Sequence, residues 1–515
     1  MESENKVGGL VFGLLACVTT ALLMYFGDGL MPRWPLVWVA PLPVLAFALR
    51  SRAWWSAGLV AFAAWLAGGL NLWGYLHELG LPPVVWVVDF GSMAVVFAAC
   101  VLLMRGLARR GATWSAWVAL PAGWVTFEYV RNLLWPHGSG GCIAYSQLNF
   151  LPFLQTASLA GPWGMGFVLL LFSSGLALGI DWWVAERGRA VRVLGATAAV
   201  VAALLLFGVV RMAMRQPGPV MRVGLVASDA GANAGVAAPG ANADRLYGEY
   251  AQAAEGVIAR GAQVVVMPEN LGVVVDPDVG RVEAILQGVA DRTGAMLVVG
   301  VNHVSGAVRH NEAWVFAPGR PVAMYQKEHL LPPFENIFTP GKMRTVFAGM
   351  GHAAGETWGV AICKDMDFTE PARGYGRAGV GLMLSPAWDF RIDGFWHGHI
   401  ARMRAVEDGF SLVRAARNGL LYVSDDRGRV VGETASDAAE FATLVADVPA
   451  GHDGTLFLLL GDWFAWVAIA LAAMAVARLG WSTERRTQDA GDRTPGAGSG
   501  AKRGMKYDRG LATRS

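Results

Sequence analysis

A chain of 515 residues has room for two or three domains. At 54% hydrophobic and 16% charged residues, with 21 tryptophans, its composition excludes an ordinary soluble protein. A formal net charge of +2, without an Arg/Lys stripe interleaved with aromatics, argues against a nucleic-acid partner.

In chain order, apolar runs at 10–24, 35–49, 53–75, 84–104, 114–134, 163–183, 193–210 and 456–477 predict about eight transmembrane helices. The first follows Lys6 and has no small-x-small pattern close behind it, so it is expected to stay as an uncleaved anchor. The second is short and carries Pro41 and Pro43. Arg50 and Arg52 follow the second run, Arg105, Arg109 and Arg110 the fourth, and Arg187, Arg189 and Arg192 the sixth. By the positive-inside rule these connections are cytoplasmic, and the segment after the seventh run lies outside. The expected organisation is a membrane domain of seven helices at 1–210, an extracytoplasmic domain at 211–455, a final membrane helix at 456–480 and a disordered cytoplasmic tail at 481–515.

Polar residues in these runs are read structurally. Cys17 and Cys100 are expected as small buried apolar groups, and Cys142, in an outer loop, as a free thiol. Glu128 and Arg131, near an outer helix end, are expected as a structural ion pair, because charge deeper in lipid is costly. Trp135 and Trp163 are expected as interfacial belt aromatics. No closely spaced Cys or His pairs suggest a metal site, and no cofactor is expected.

After residue 210 the pattern changes. Short β-rich runs at 221–227, 263–267, 296–301, 313–317, 360–363, 381–385, 411–414 and 420–424 alternate with helical stretches at 243–259, 278–293 and 396–408. That alternation predicts an α/β layered domain. Its chemistry gathers where strands end. Glu269 follows an apolar run and a proline, Cys363 closes another apolar run, and Lys327 precedes the apolar turn Leu330, Leu331, Pro332, Pro333, Phe334.

These fragments carry a resemblance. Pro268-Glu269, His310-Asn311-Glu312-Ala313, Tyr325-Gln326-Lys327-Glu328-His329-Leu330 and Ile362-Cys363, in this order, resemble the nitrilase or carbon-nitrogen hydrolase superfamily. The resemblance implies a nitrilase-like αββα sandwich and a Glu-Lys-Cys triad at Glu269, Lys327 and Cys363. With the membrane runs, the whole chain is similar to the membrane-embedded branch of that superfamily, the apolipoprotein N-acyltransferases. Ala40-Pro41-Leu42-Pro43, Glu128 with Arg131, Ala144-Tyr145-Ser146-Gln147, the stretch from Arg402 to Glu407 and Gly461-Asp462-Trp463 carry that second likeness. It implies an accessory role for Glu335, a phospholipid acyl donor, a diacylated lipoprotein acceptor and a multi-pass place in the bacterial inner membrane with the catalytic domain in the periplasm.

The chain departs from that pattern at three places. Lys364 and Asp365 stand where the family has an aromatic residue and Glu, so Lys364 is expected to set a second cation beside the thiolate. Ser385-Pro386-Ala387-Trp388-Asp389-Phe390 replaces an Asn-Asp-Ala-Trp-Phe pattern and leans toward soluble nitrilases, and the outer loop Trp135-Pro136-His137-Gly138 differs as well. The implied chemistry is a ping-pong transfer through a Cys363 thioester. Glu269 is the base, Lys327 steadies the oxyanion, Glu335 orients Lys327, and the N–H after Cys363 adds a second oxyanion donor. The alternative is a membrane-tethered amidase using the same triad on another amide or amine acceptor.

Overall fold

The computed structural model describes residues 2–320 and 323–491. Among these residues ten α-helices precede the first strand: α1 (Glu2–Gly27), α2 (Trp34–Val37), α3 (Leu42–Arg50), α4 (Trp54–Gly68), α5 (Trp73–Glu78), α6 (Pro83–Arg109), α7 (Thr113–Leu134), α8 (Leu151–Leu154), α9 (Ala157–Trp182) and α10 (Arg187–Ala213). Among the described residues, six helices are long and apolar enough to cross a membrane: Val7–Gly27, Trp54–Glu78, Pro83–Arg109, Ala157–Trp182, Arg187–Ala213 and Trp463–Gly480. The predicted second span is instead two short helices, α2 and α3, separated by a turn that ends at Pro41, with Pro43 in the first turn of α3, since proline cannot supply the N–H that a continuous helix needs. The predicted fifth span coincides with α7, which keeps its course through Pro121 and carries Glu128 and Arg131 near its end.

Helix α9 is the buried axis of the membrane domain, in contact with α3, α7 and α10. It breaks at Gly161, whose φ of 61° precedes Pro162. A Cβ on Gly161 would lie 2.4 Å from the Phe457 ring, so only glycine combines this backbone with this packing.

The second domain pairs two sheets. Its strands are β1 (Val220–Ala227), β2 (Val264–Val266), β3 (Val273–Val275), β4 (Met296–Ser305), β5 (Val308–Phe316), β6 (Ala323–Gln326), β7 (Thr345–Ala348), β8 (Thr357–Val360), β9 (Val380–Trp388), β10 (Ser411–Arg417), β11 (Leu420–Ser424), β12 (Val430–Ala435) and β13 (Ala442–Pro449). One sheet runs β13-β1-β2-β4-β5-β6 with β3 beside β4, and the other runs β12-β11-β10-β9-β8-β7. Apolar side chains from both sheets, among them Leu225, Val266, Val298, Val360, Leu384 and Val413, form one buried layer between them. Helices α11 (Ala241–Ile258) and α12 (Val279–Thr293) cover the first sheet. Helices α13 (Thr369–Arg377) and α14 (Gly394–Asp408) cover the second, giving the expected αββα sandwich.

Helix α14 is apolar on two sides. Ala401 and Ala405 pack toward its own sheet, while Ile400, Met403 and Val406 join the core of the membrane domain. After β13 the chain returns through α15 (Leu456–Leu460) into α16 (Trp463–Gly491). Helix α16 passes the point where the tail was expected to begin, and residues 492–515 of that tail lie outside the described residues.

Polar contacts fasten the two domains. Arg211 pairs with Asp453 at 3.1 Å, Gln155 Nε2 donates to the Arg427 carbonyl at 2.8 Å, and Arg373 pairs with Asp462 at 2.9 Å. Asp462 also accepts from Trp163 Nε1 at 2.8 Å, and Trp163 is fully buried. Trp163 is therefore a domain-joining core residue and not a belt aromatic. The expected Glu128–Arg131 pair is replaced by two other contacts. Glu128 accepts from the Ile143 N–H at 2.8 Å, and Arg131 pairs with Asp89 at 3.0 Å. The Ile143 N–H begins a short helical turn and needs an acceptor, which Glu128 supplies from the neighbouring helix.

Candidate active site

The nucleophile candidate sits on a strained turn. Strand β8 ends at Val360, and Cys363, three residues on, opens a 3-10 turn, Cys363–Asp367, with a φ of 43°. A non-glycine residue at positive φ costs free energy that the surroundings must offset. Asp365 is the main tie. Its Oδ2 accepts from the Ile362 N–H at 3.0 Å and from the Tyr325 hydroxyl at 2.8 Å. Its Oδ1 accepts from the N–H groups of Glu328 and His329 at 3.2 and 2.8 Å. The short carboxylate that departs from the family pattern thus locks the cysteine turn to the segment that carries Lys327.

Three other elements deliver the acid–base groups. Glu269 leaves the end of β2 across Gly300 of β4, where an added Cβ would lie 2.4 Å from the Glu269 Cα and the Pro268 oxygen. The Glu269 N–H donates to the Ala387 carbonyl at 3.2 Å, tying this loop to the opposite sheet. Lys327 directly follows β6, and its Nζ donates to Glu269 Oε1 at 2.7 Å and to Glu335 Oε2 at 2.8 Å. Glu335 folds back over the apolar turn and accepts from the Leu331 N–H at 2.7 Å. Asn311 of β5 closes the cluster, its amide donating to Glu269 at 2.6 Å and to Glu335 at 2.8 Å. Glu269 Oε2 is buried and has no hydrogen-bond partner among the described residues, which leaves it open to a proton.

Electrostatics follow from the crowding. Burial pushes the Glu269 carboxyl up to about 7, against the pull of Lys327. Burial opposes the charge on Lys327, yet Glu269 and Glu335 outweigh it and hold the ammonium's pKa well above normal. The Cys363 thiol is raised well above its ordinary value, by burial first and then by the Glu269 charge, while Lys327 and Arg414 pull it down. At rest the site holds a thiol, a cation and a base whose affinity for a proton lies close to neutrality.

Lys364, expected as a second cation beside the thiolate, is within electrostatic reach of Cys363 and is held by two further groups. Its Nζ donates to His137 Nδ1 at 3.0 Å and lies 3.6 Å from Asp367, so it is engaged by the outer loop of the membrane domain. Burial, helped by Lys364, lowers His137 to about 4, so the ring stays neutral and accepts this bond. The cation that touches the sulfur is Arg414 of β10, with Nη2 at 3.9 Å from Sγ. The thiol itself points at the Trp388 carbonyl, 3.6 Å away. Sequence reading missed Arg414, Asp389 and Asn311 as site residues. Asn311 lies within a quoted fragment, but nothing local distinguishes it from any polar strand residue.

The candidate site joins what the chain is similar to. Residues 224–457 match the family model for carbon-nitrogen hydrolases, and residues 20–175 match the model for the apolipoprotein N-acyltransferase N-terminal domain. The chain belongs to the apolipoprotein N-acyltransferase family. An apolipoprotein N-acyltransferase of Geobacter metallireducens is 25% identical over 86% of this chain and 90% of its own length. One from Gloeobacter violaceus is 28% identical over 86% of this chain and 89% of its own. Among solved structures, an amidase from Nesterenkonia sp. is 25% identical, with a TM-score of 0.38, over 46% of this chain and 92% of its own. The chain is accordingly an enzyme of the acyltransferase branch of the carbon-nitrogen hydrolases and, with its six apolar helices, a multi-pass membrane protein.

Proposed function

We propose that the protein moves a fatty acyl chain from a phospholipid to the α-amine of the diacylglyceryl-cysteine of bacterial apolipoproteins, through a thioester on Cys363. The observation that carries this reading is the joining of two features: Lys327 is clasped by Glu269 and Glu335 beside a cysteine on a left-handed turn, and the same chain carries membrane-length helices. Both substrates are lipids, and neither then needs to leave the bilayer. The Arg-rich connections support a periplasmic position for the domain from 211 to 455, at the inner membrane.

In the first half, Glu269 takes the Cys363 proton as sulfur attacks the donor ester carbonyl. Lys327 and the Lys364 N–H face the developing oxyanion. Glu269 then protonates the departing lysophospholipid oxygen. In the second half, the lipoprotein amine attacks the thioester, and an amide replaces it. Glu335 and Asn311 hold Lys327 and Glu269 in register through both halves.

The test is product mass analysis of a diacylated lipopeptide incubated with phospholipid and detergent-purified protein. Wild type is expected to add one acyl chain to the peptide amine, Cys363→Ala to add none, and Glu269→Gln to be slowed on the order of 10³-fold. Undiminished N-acylation by Cys363→Ala would sink the assignment. The segment Ser385 to Asp389 favours a second reading, amide hydrolysis, which predicts release of ammonia or amine from small amides and no lipopeptide acylation.

A further inference from the structure

Arg414 is buried on β10, and its guanidinium forks onto both oxygens of Asp389, at 2.8 and 2.5 Å. A buried Arg–carboxylate pair is usually structural, because each charge needs the other. A third contact sets this pair apart: Nη2 also faces Cys363 Sγ at 3.9 Å.

The charges around the sulfur show why a further cation matters. Glu269 approaches from the loop after β2, Lys327 from the end of β6, Asp389 from the end of β9 and Arg414 from β10. Lys364 and Asp367 lie on the cysteine's own turn. Behind Asp389 stands His397 of α14, 3.0 Å from Asp393 and 3.9 Å from Asp389. The Lys327 ammonium is already shared between two carboxylates. Among the described residues Arg414 pairs with one carboxylate, Asp389, and it stays charged at any working pH.

We propose that Arg414, fixed in place by Asp389, is a further catalytic residue that stabilises the Cys363 thiolate, both as it attacks the donor ester and as it leaves the thioester. This rests on the reading of Cys363 as the acyl-carrying nucleophile. In the first half the S–H proton passes to Glu269 as the C–S bond forms, and returns to the donor oxygen as the C–O bond breaks. In the second half the amine proton passes to Glu269 as the C–N bond forms. The C–S electron pair then goes to sulfur, where Arg414 holds the charge until Glu269 returns the proton. Asp389 is the positioning residue for this step.

The test is the pH dependence of Cys363 alkylation by iodoacetamide, read by peptide mass analysis so that the other cysteines do not interfere. In Arg414→Gln the inflection is expected to move alkaline by about one pH unit, with alkylation at pH 7 slowed roughly tenfold. Arg414→Lys keeps the charge but loses the fork, and a slowing of about threefold is expected. A folded Arg414→Gln protein with the wild-type profile overturns the proposal. If that variant does not fold, a wild-type profile in Arg414→Lys overturns it. Alkylation needs no lipid, so a shifted profile without acyl transfer would remove the lipid reading and keep the thiolate role.

Discussion

At the scale of single residues, the site is a proton-balanced cluster whose behaviour depends on pH. Glu269 serves as a base only when ionised, and its carboxyl is raised to about 7. Acylation of Cys363 by a small activated ester is therefore expected to fall about tenfold per pH unit below 7 and to level off above it. A flat profile between pH 5 and 8 would contradict that role for Glu269. Asn311 donates to both carboxylates, and its loss leaves two buried acceptors short of a donor. Asn311→Ala should slow the same acylation about tenfold to a hundredfold, the equivalent of 1–3 kcal/mol, while thermal denaturation shows a folded protein. Cys363 and Glu269 drew notice because each follows an apolar strand run, and Lys327 and Glu335 because their order and spacing in the chain carry the family resemblance. Arg414 and Asp389 were not, since they meet only through the parallel pairing that sets Arg414 beside Ser385.

At the scale of elements, strand ends set the geometry and glycines set the approach distances. Gly300→Ala would drive a Cβ into the backbone of Glu269 and Pro268, at 2.4 Å. Backbone atoms held by two sheets cannot yield cheaply, so the variant should lose about 1–3 kcal/mol of stability and most of its acylation rate. A thermal scan and an acylation assay check both, and a wild-type rate would show that the Glu269 loop moves freely. Most long strands were readable from their apolar runs, whereas β3, β6, β7, β12 and β13 were not. The first three have three or four residues each, too few for periodicity to register, and the last two break their apolar residues with Gly432, Glu433 and Asp447. Helix α13, Thr369–Arg377, contains Pro371 and two glycines and carries no local helix signal, yet it covers its sheet. The run at 35–49 looked like one span because hydropathy ignores the prolines that divide it.

At the scale of the whole molecule, the catalytic sandwich and the membrane helices share a core. Ile400, Met403 and Val406 of α14 pack with the membrane domain, and Arg373–Asp462 and Arg211–Asp453 cross between the two. A fragment of residues 215–455 is therefore expected to expose that apolar face, bind a hydrophobic dye and aggregate. A soluble, dye-silent fragment that acylates at the full-length rate would contradict this coupling. The same coupling places His137 of a membrane-domain loop against Lys364, next to the reactive sulfur. The sequence indicated a membrane part and an α/β part from composition alone, but this joint depends on residues far apart in the chain.

In the proposed reaction Cys363 carries the acyl group between two lipids. Its most direct test is the intact mass of the full-length protein after incubation with a phospholipid of defined acyl chains, before and after a diacylated lipopeptide is added. The expected result is a mass increase of one acyl chain, located at Cys363 and sensitive to hydroxylamine, that disappears as the lipopeptide gains the same chain. A lipopeptide acylated with no acyl group ever found on Cys363, or an acyl group that the peptide never removes, would contradict it.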